Sequence, residues 1–266
     1  MPKAPEWDLP DHTIYQYRAC RSAYMLLIPV INEGERLVAL LSEIGKLGLQ
    51  DQLDVVIVDG GSTDGSTSES VLRGAGVHAL IVKRGVGKLG AQLRCGYAYT
   101  LRNGYSGVVT IDGNNKDDPS AVPLFLSALE QGVDFVQGSR FVTGGRAINT
   151  PLTRTVAIRC IHAPALRIAS GFPWTDTTQG FRAYSRKLLE SESVAIFRDV
   201  FQEYELLFHL SYIAPRLGFR CCEVPTTRRY PPGKVPTKIH GLSANLKLLR
   251  TLWNACTGKY HVKDGE

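Results

Sequence analysis

The sequence predicts an α/β fold with a mostly parallel central sheet and helices on both faces. Three observations predict it. Short apolar runs alternate with amphipathic stretches through about residue 140. Two of the runs, Val55-Val56-Ile57-Val58 and Val108-Val109-Thr110-Ile111, are strongly β-branched, as strands buried on both faces tend to be. Each leads into an acidic, glycine-containing loop, Asp59-Gly60-Gly61-Ser62-Thr63-Asp64-Gly65 and Asp112-Gly113-Asn114-Asn115-Lys116-Asp117-Asp118-Pro119. Ligands in open sheets of this kind bind just beyond the carboxyl ends of the strands, so both loops are expected to face one crevice. Carboxylates there suit a divalent cation and the hydroxyls of a ribose, which points to a nucleotide-using enzyme.

The elements follow in order. Residues 1–22 lack periodicity and are expected to form a loosely held arm. Tyr24–Val30 is a strand, and Leu37, Leu40, Leu41, Ile44 and Leu47 recur at helical spacing over residues 35–47. A strand at 55–58, a helix from about residue 66 and a strand at 78–82 follow. Residues 88–102 read as a helix and 107–111 as a strand. Asp118-Pro119-Ser120 opens the next helix, with proline in its first turn, and 134–137 is a short strand. In the second half, 151–170 is helical, 180–184 a strand, 201–217 a helix and 219–224 a strand. Residues 225–240, rich in Pro, Arg and Lys, are expected to form a mobile basic loop. Gly241–Cys256 closes the chain as an amphipathic helix.

Composition narrows the class. The 266 residues are 44% hydrophobic and 21% charged, ordinary for a soluble globular protein. No apolar run approaches the roughly 18 residues of a membrane-spanning helix, and the first residues lack the apolar centre of a signal peptide. The net charge of +6 fits an anionic small molecule, a membrane surface or nucleic acid, and equally simple solubility. A nucleic-acid partner is not expected, because the basic residues are not interleaved with aromatics on a strand face. The six cysteines contain no C-x-x-C pair and read as reduced, mostly buried thiols of a cytosolic protein. The six histidines show no ligand spacing and read as structural or solvent-facing.

Six motifs stand in a fixed order: Ile28-Pro29-Val30-Ile31-Asn32-Glu33, Asp59 to Gly65, Gly87-Lys88-Leu89-Gly90-Ala91, Asp112-Gly113-Asn114, Gly138-Ser139-Arg140-Phe141 with Gly144-Gly145, and Asp176-Thr177-Thr178-Gln179-Gly180-Phe181. In that order the chain resembles the family 2 glycosyltransferases, and among them the dolichyl-phosphate mannose synthase-like group. The resemblance implies a glycosyltransferase A-type Rossmann-like fold and inverting transfer of a hexose from a nucleotide sugar (GDP-mannose or a UDP-hexose) to a polyprenyl phosphate. It implies a catalytic domain over 23–225, followed by a basic acceptor loop and helix over 226–266.

It also implies roles. Pro29, Asn32, Glu33, Asp59, Lys88, Asp112 and Gly113 would bind the nucleotide, with Asp59 at the base. Asp112 and Asn114 would hold Mg²⁺ or Mn²⁺ against the diphosphate. Here Asn114 replaces the family's second aspartate, which removes one charge, and Lys116 stands where many synthases carry Gln. Asp59-Gly60-Gly61 also departs from the common Asp-Asp-Gly. Arg140, Arg154, Arg228, Arg229, Lys234 and Lys238 would hold the acceptor phosphate, guanidinium forks being suited to phosphate. Glu203 falls where relatives acting on hydroxyls carry a catalytic base; its bland alternative is a helix-start residue. A soluble transferase acting on a sugar hydroxyl, or a non-catalytic nucleotide-sugar-binding protein, stays open at this point. The closing helix, with Leu242, Leu246, Leu249, Leu252 and Trp253 on one side, suits either core packing or peripheral contact with the cytosolic face of a membrane.

Overall fold

The computed structural model describes residues 7–231 and 241–262. In chain order the elements are β1 His12–Gln16, β2 Tyr24–Val30, α1 Glu35–Lys46, β3 Asp54–Asp59, α2 Glu69–Gly74, β4 Ala79–Lys83, α3 Leu89–Arg102, β5 Gly107–Thr110 and α4 Val122–Glu130. The second half adds β6 Phe135–Ser139, β7 Arg146–Ile148, α5 Leu152–Ala157, α6 Ala163–Ser170, β8 Arg182–Ser185, α7 Arg186–Leu189, α8 Glu205–Arg216, β9 Cys221–Pro225, β10 Thr227–Arg229 and α9 Gly241–Cys256.

The main sheet has eight strands in the order β1-β4-β3-β2-β5-β8-β6-β9. β4, β3, β2 and β5 run parallel, as their β-branched runs predict. β8 enters antiparallel between β5 and β6, and β9 lies parallel to β6. Strand alternation divides the core into two layers. Met25, Leu27, Val56 and Val58 pack with residues of α3, α6, α8 and α9. Leu26, Ile28, Val55 and Ile57 pack with residues of α1, α2 and α4. Helices therefore cover both faces, as expected.

Two expectations are corrected. Part of the stretch read as a loose arm is a sheet strand: β1 pairs antiparallel with β4, from His12 opposite Lys83 to Gln16 opposite Ala79. Its residues are half-exposed to exposed, so this edge strand carries little apolar signal. The basic segment is also not all loop. Thr227, Arg228 and Arg229 form β10, paired in parallel with β7. Lys234 and Lys238 lie outside the described residues. The helix expected at 151–170 is interrupted by a π-helical turn at Ile158–His162, a distortion frequently found at functional sites. Among the described residues no helix is long and apolar enough to cross a membrane.

Candidate active site

Two cavities open beyond the carboxyl ends of β2, β3 and β5. The first, of about 490 Å³, is lined by Pro29, Glu33, Lys88, Asp112, Gly113, Asn114 and Glu203 among others. Seven residues assigned from sequence to nucleotide, metal or base are thus brought together. The second, of about 470 Å³, is lined by Arg140, Arg154 and Arg228 together with Ile158, Ile161, Leu207, Phe208, Leu248 and Leu249. The two adjoin, sharing Tyr204 and Leu248 as walls.

Asn32 and Asp59 do not line the first cavity; they build its rim. Asp59 is buried, and its carboxylate accepts from the Gly61 and Ser62 amides at 3.0 and 2.8 Å and from the Ser62 and Thr67 hydroxyls at 2.7 and 2.9 Å. That is an Asx-type loop, self-satisfied. Asn32 sits at φ 51°, a left-handed conformation that Asn tolerates. Its side-chain oxygen accepts from the Thr63 amide at 2.8 Å, and the Gly34 amide donates to Asp64 at 2.7 Å. The loop after β2 is thereby laced to the loop after β3.

Gln92 was not legible as a site residue. It is buried on α3, and its Nε2 donates to the carbonyls of Val30 and Val58, both at 2.8 Å, closing the ends of β2 and β3. A Cβ at Gly60 would lie 3.1 Å from that nitrogen. The absence of a second aspartate after Asp59 thus has a steric correlate: Gln92 fills the space. The start of α3 packs as closely on the segment before α8, since a Cβ on Gly90 would stand 2.6 Å from the Phe201 carbonyl. This contact sets Lys88 against Glu203 at 2.8 Å. Lys247 of α9 pairs with the other Glu203 oxygen at 2.8 Å. The two lysines, Lys247 foremost, hold the Glu203 carboxyl below its ordinary range.

Asp112 lies at the junction. Arg228 donates to its Oδ2 from both terminal nitrogens, at 3.3 and 3.2 Å, and also bonds Asp117. Burial opposes the charge of Arg228, but Asp117 and Asp112 keep the guanidinium protonated, its pKa well above the ordinary value. Strand alternation in β10 turns Arg228 inward and leaves Arg229 exposed, lining a separate cleft with Lys46 and Asn149. Tyr230, also missed, gathers cations: Lys116, Arg154 and Arg228 lie 5.1, 5.5 and 5.8 Å from its ring centroid. Arg154 also donates to the Tyr230 hydroxyl at 2.6 Å. Burial pushes that phenol up, yet Arg228 and Arg154 outweigh it and hold it below the ordinary tyrosine value.

Arg140 is placed differently from expectation. It forms a buried bidentate pair with Asp176, at 2.7 and 3.0 Å, and donates to Thr178 at 3.0 Å. Only its Nη1 is left, buried and without a partner among the described residues, on the wall of the second cavity.

The donor set suits a hard cation. Asp112 supplies a carboxylate, and the neighbouring Gly180 keeps space beside it, since a Cβ there would stand 2.3 Å from Oδ1. Asn114 offers only a carbonyl, which accepts from the Lys116 amide at 3.2 Å. One carboxylate with a weak second donor fits Mg²⁺ or Mn²⁺ when diphosphate oxygens complete the shell.

The model of the glycosyl transferase family 2 matches residues 25–192. The chain is 30% identical over 206 residues to a polyprenol monophosphomannose synthase of Mycolicibacterium smegmatis, covering 76% of each. It is 33% identical over 210 residues to an undecaprenyl-phosphate mannosyltransferase of Micrococcus luteus, covering 76% of this chain and 82% of the relative. Among solved structures, a glucosyl-3-phosphoglycerate synthase from Mycobacterium tuberculosis in complex with UDP superposes with a TM-score of 0.60 at 23% identity, covering 88% of this chain and 80% of that one. Another structure of that synthase holds Mn²⁺ and UDP, with a TM-score of 0.55. At such identity the likeness speaks for the fold, the glycosyltransferase A type. By its matched residues and its relatives, the chain belongs to glycosyl transferase family 2 and is a glycosyltransferase.

Proposed function

We propose that this chain transfers a hexose from a nucleoside diphosphate sugar to a polyprenyl phosphate, with inversion. One observation carries the reading. Arg228 lines the apolar cavity while its guanidinium rests on Asp112, which lines the other cavity, so an acceptor phosphate at Arg228 lies beside a donor diphosphate at Asp112. The apolar walls of the second cavity suit an isoprenoid, and Arg154, Arg228 and the unpartnered Nη1 of Arg140 suit its phosphate. The names of the two bacterial relatives support the same class of acceptor.

The chemistry follows from the residues. Asp112, with the Asn114 carbonyl, would hold Mg²⁺ or Mn²⁺, which supplies charge neutralisation for the departing nucleoside diphosphate. Lys88 and Lys247 stand at the same cavity and can stabilise that charge as well. An acceptor phosphate is already an anion at neutral pH and needs no strong base to attack the anomeric carbon. Glu203, held down by two lysines, is a poor proton acceptor, which favours phosphate over a hydroxyl acceptor and gives Glu203 the role of placing those lysines.

Peripheral membrane contact belongs to the same proposal. Leu246, Leu249 and Trp253 of α9 are exposed, as are Leu152, Val156 and Ile161 of the helical stretch 152–162, and Leu249 and Ile161 line the second cavity. Scattered exposed apolar residues need no explanation; two groups flanking an apolar cavity match a surface from which a lipid enters.

The test is a transfer assay with purified protein, GDP-mannose and UDP-hexoses, a short polyprenyl phosphate in detergent, and Mg²⁺ or Mn²⁺. Formation of a lipid-linked hexosyl phosphate supports the reading. Transfer to sugar hydroxyls alone, or donor binding without turnover on any acceptor, overturns it.

A further inference from the structure

The Tyr230 hydroxyl faces donors on the side of the protein. Arg154 Nη1 donates to it at 2.6 Å, and the Arg228 guanidinium bears on the same oxygen. A guanidinium donates and never accepts. The phenol carries a proton of its own, and among the described residues no hydrogen bond from that hydroxyl receives it. Tyr230 is buried. A buried donor in that state costs free energy, so this hydroxyl is built to meet an acceptor from outside the chain.

The side chain is held in place from both ends. Tyr230 directly follows β10, its amide donates to the Ile148 carbonyl at 3.0 Å, and its carbonyl accepts from Asn149 Nδ2 at 3.3 Å. The Arg229 amide donates to the Lys116 carbonyl at 2.7 Å, which laces the loop after β5 to the same strand. Arg154 comes from α5. Tyr230 therefore draws in Arg154 by its oxygen and Lys116 by the face of its ring. Burial, and after it repulsion from Arg228, hold the Lys116 pKa below its ordinary value. Like charges crowded in a poorly solvated place repel, and an anion set among them reverses the sign.

Tyr230, Arg154 and Arg228 all line the second cavity. We propose that Tyr230 is a binding residue for the acceptor phosphate: its hydroxyl donates to one phosphate oxygen, Arg154 and Arg228 donate to the others, and the phenol oxygen fixes how the two guanidinium groups stand. The proposal rests on the reading of that cavity as the acceptor site. It also sets a preference. A phosphate monoester offers three terminal oxygens, one for each of the three side chains. The product of transfer is a diester with one terminal oxygen fewer, so the reaction itself loosens the grip on the lipid.

The experiment uses the full chain, wild type and Tyr230→Phe, which keeps the ring and removes only the hydroxyl. By calorimetry, Tyr230→Phe should bind farnesyl phosphate about 10–100-fold more weakly, the loss of one hydrogen bond to a charged group. Binding of farnesol should be unchanged, and the melting point should stay near that of the wild type. The phenol supplies a second readout that a packing role would not move. Its ionisation is isolated as the difference between the absorbance titrations of wild type and Tyr230→Phe. An anion held on the phenol proton disfavours phenolate, so farnesyl phosphate, and inorganic phosphate at higher concentration, should raise the midpoint, whereas farnesol should not. A midpoint unmoved by both phosphates, or equal binding of farnesyl phosphate by the two proteins, would overturn the proposal. A midpoint raised by farnesyl phosphate in protein that transfers no hexose to it supports the role of Tyr230 and removes the transfer reading. Transfer with an unmoved midpoint does the reverse.

Discussion

Arg228 grips Asp112 through both terminal nitrogens, at 3.3 and 3.2 Å, and the same guanidinium holds the buried Asp117. One side chain thus sets the position of a carboxylate that lines the first cavity. Lysine at 228 would keep the charge but cannot fork between two carboxylates. Loss of one charge-assisted hydrogen bond, about 2 kcal/mol, corresponds to about a thirtyfold fall in kcat/KM for Arg228→Lys. Steady-state kinetics alongside thermal melting checks this: the melting point should move far less than the rate.

Arg140→Ala should act first on stability. Arg140 and Asp176 are fully buried and paired twice, and removing the cation strands Asp176 in the interior. Neutralising one partner of such a pair costs about 3–5 kcal/mol. Denaturant unfolding should show that loss, whereas Arg154→Ala should chiefly raise the KM for the acceptor at nearly wild-type stability. If Arg140→Ala unfolds like the wild type, the pair is not what holds that loop.

Sequence made the parallel half of the sheet legible because β2, β3 and β5 carry continuous apolar runs, which only a doubly covered sheet needs. It also located α9 to the residue, from the leucine stripe. β1 was not legible, because an edge strand with exposed side chains lacks that signal. The motif singled out Asp112, which lines the first cavity, but the pairings of the arginines were not legible. Arg140 meets Asp176 across 36 residues and Arg228 meets Asp112 across 116, distances over which only the fold decides. Gln92 and Tyr230 were invisible for a related reason: a buried amide and a buried phenol look like ordinary core residues until their partners are known.

Acid should destabilise the fold before the carboxylates titrate. Burial drives His209 down from 6.5 to about 4, against a hydrogen bond to the Val194 carbonyl that favours its charge. The folded state therefore refuses a proton that the unfolded chain accepts. Stability is full above about pH 6.5 and declines as pH falls toward about 4, by up to roughly 3 kcal/mol. Urea unfolding at pH 7 and pH 4.5 measures the slope, which His209→Gln should flatten.

Trp253 is 70% exposed and Leu246 57% exposed on α9. Replacing both by Glu should cut cosedimentation with anionic vesicles several-fold, through lost apolar insertion and added repulsion. Donor binding, read by thermal shift with GDP and UDP sugars, should be unchanged. Undiminished vesicle binding would place the lipid-facing surface elsewhere.

Glu203→Gln separates the two kinds of acceptor. The carboxylate is clamped between Lys88 and Lys247 at 2.8 Å each, which keeps it ionised and a weak base. With an acceptor phosphate no proton need be removed, so Glu203→Gln loses only the ordering of two lysines. The expected drop in kcat is within about tenfold, the cost of one weakened charged contact. With a hydroxyl acceptor, loss of a general base costs about a hundredfold or more, and the acidic limb of the pH–rate profile disappears with it. A modest drop with an unchanged pH profile therefore identifies phosphate as the nucleophile and Glu203 as a positioning residue; a collapse of turnover would return the carboxylate to the chemistry.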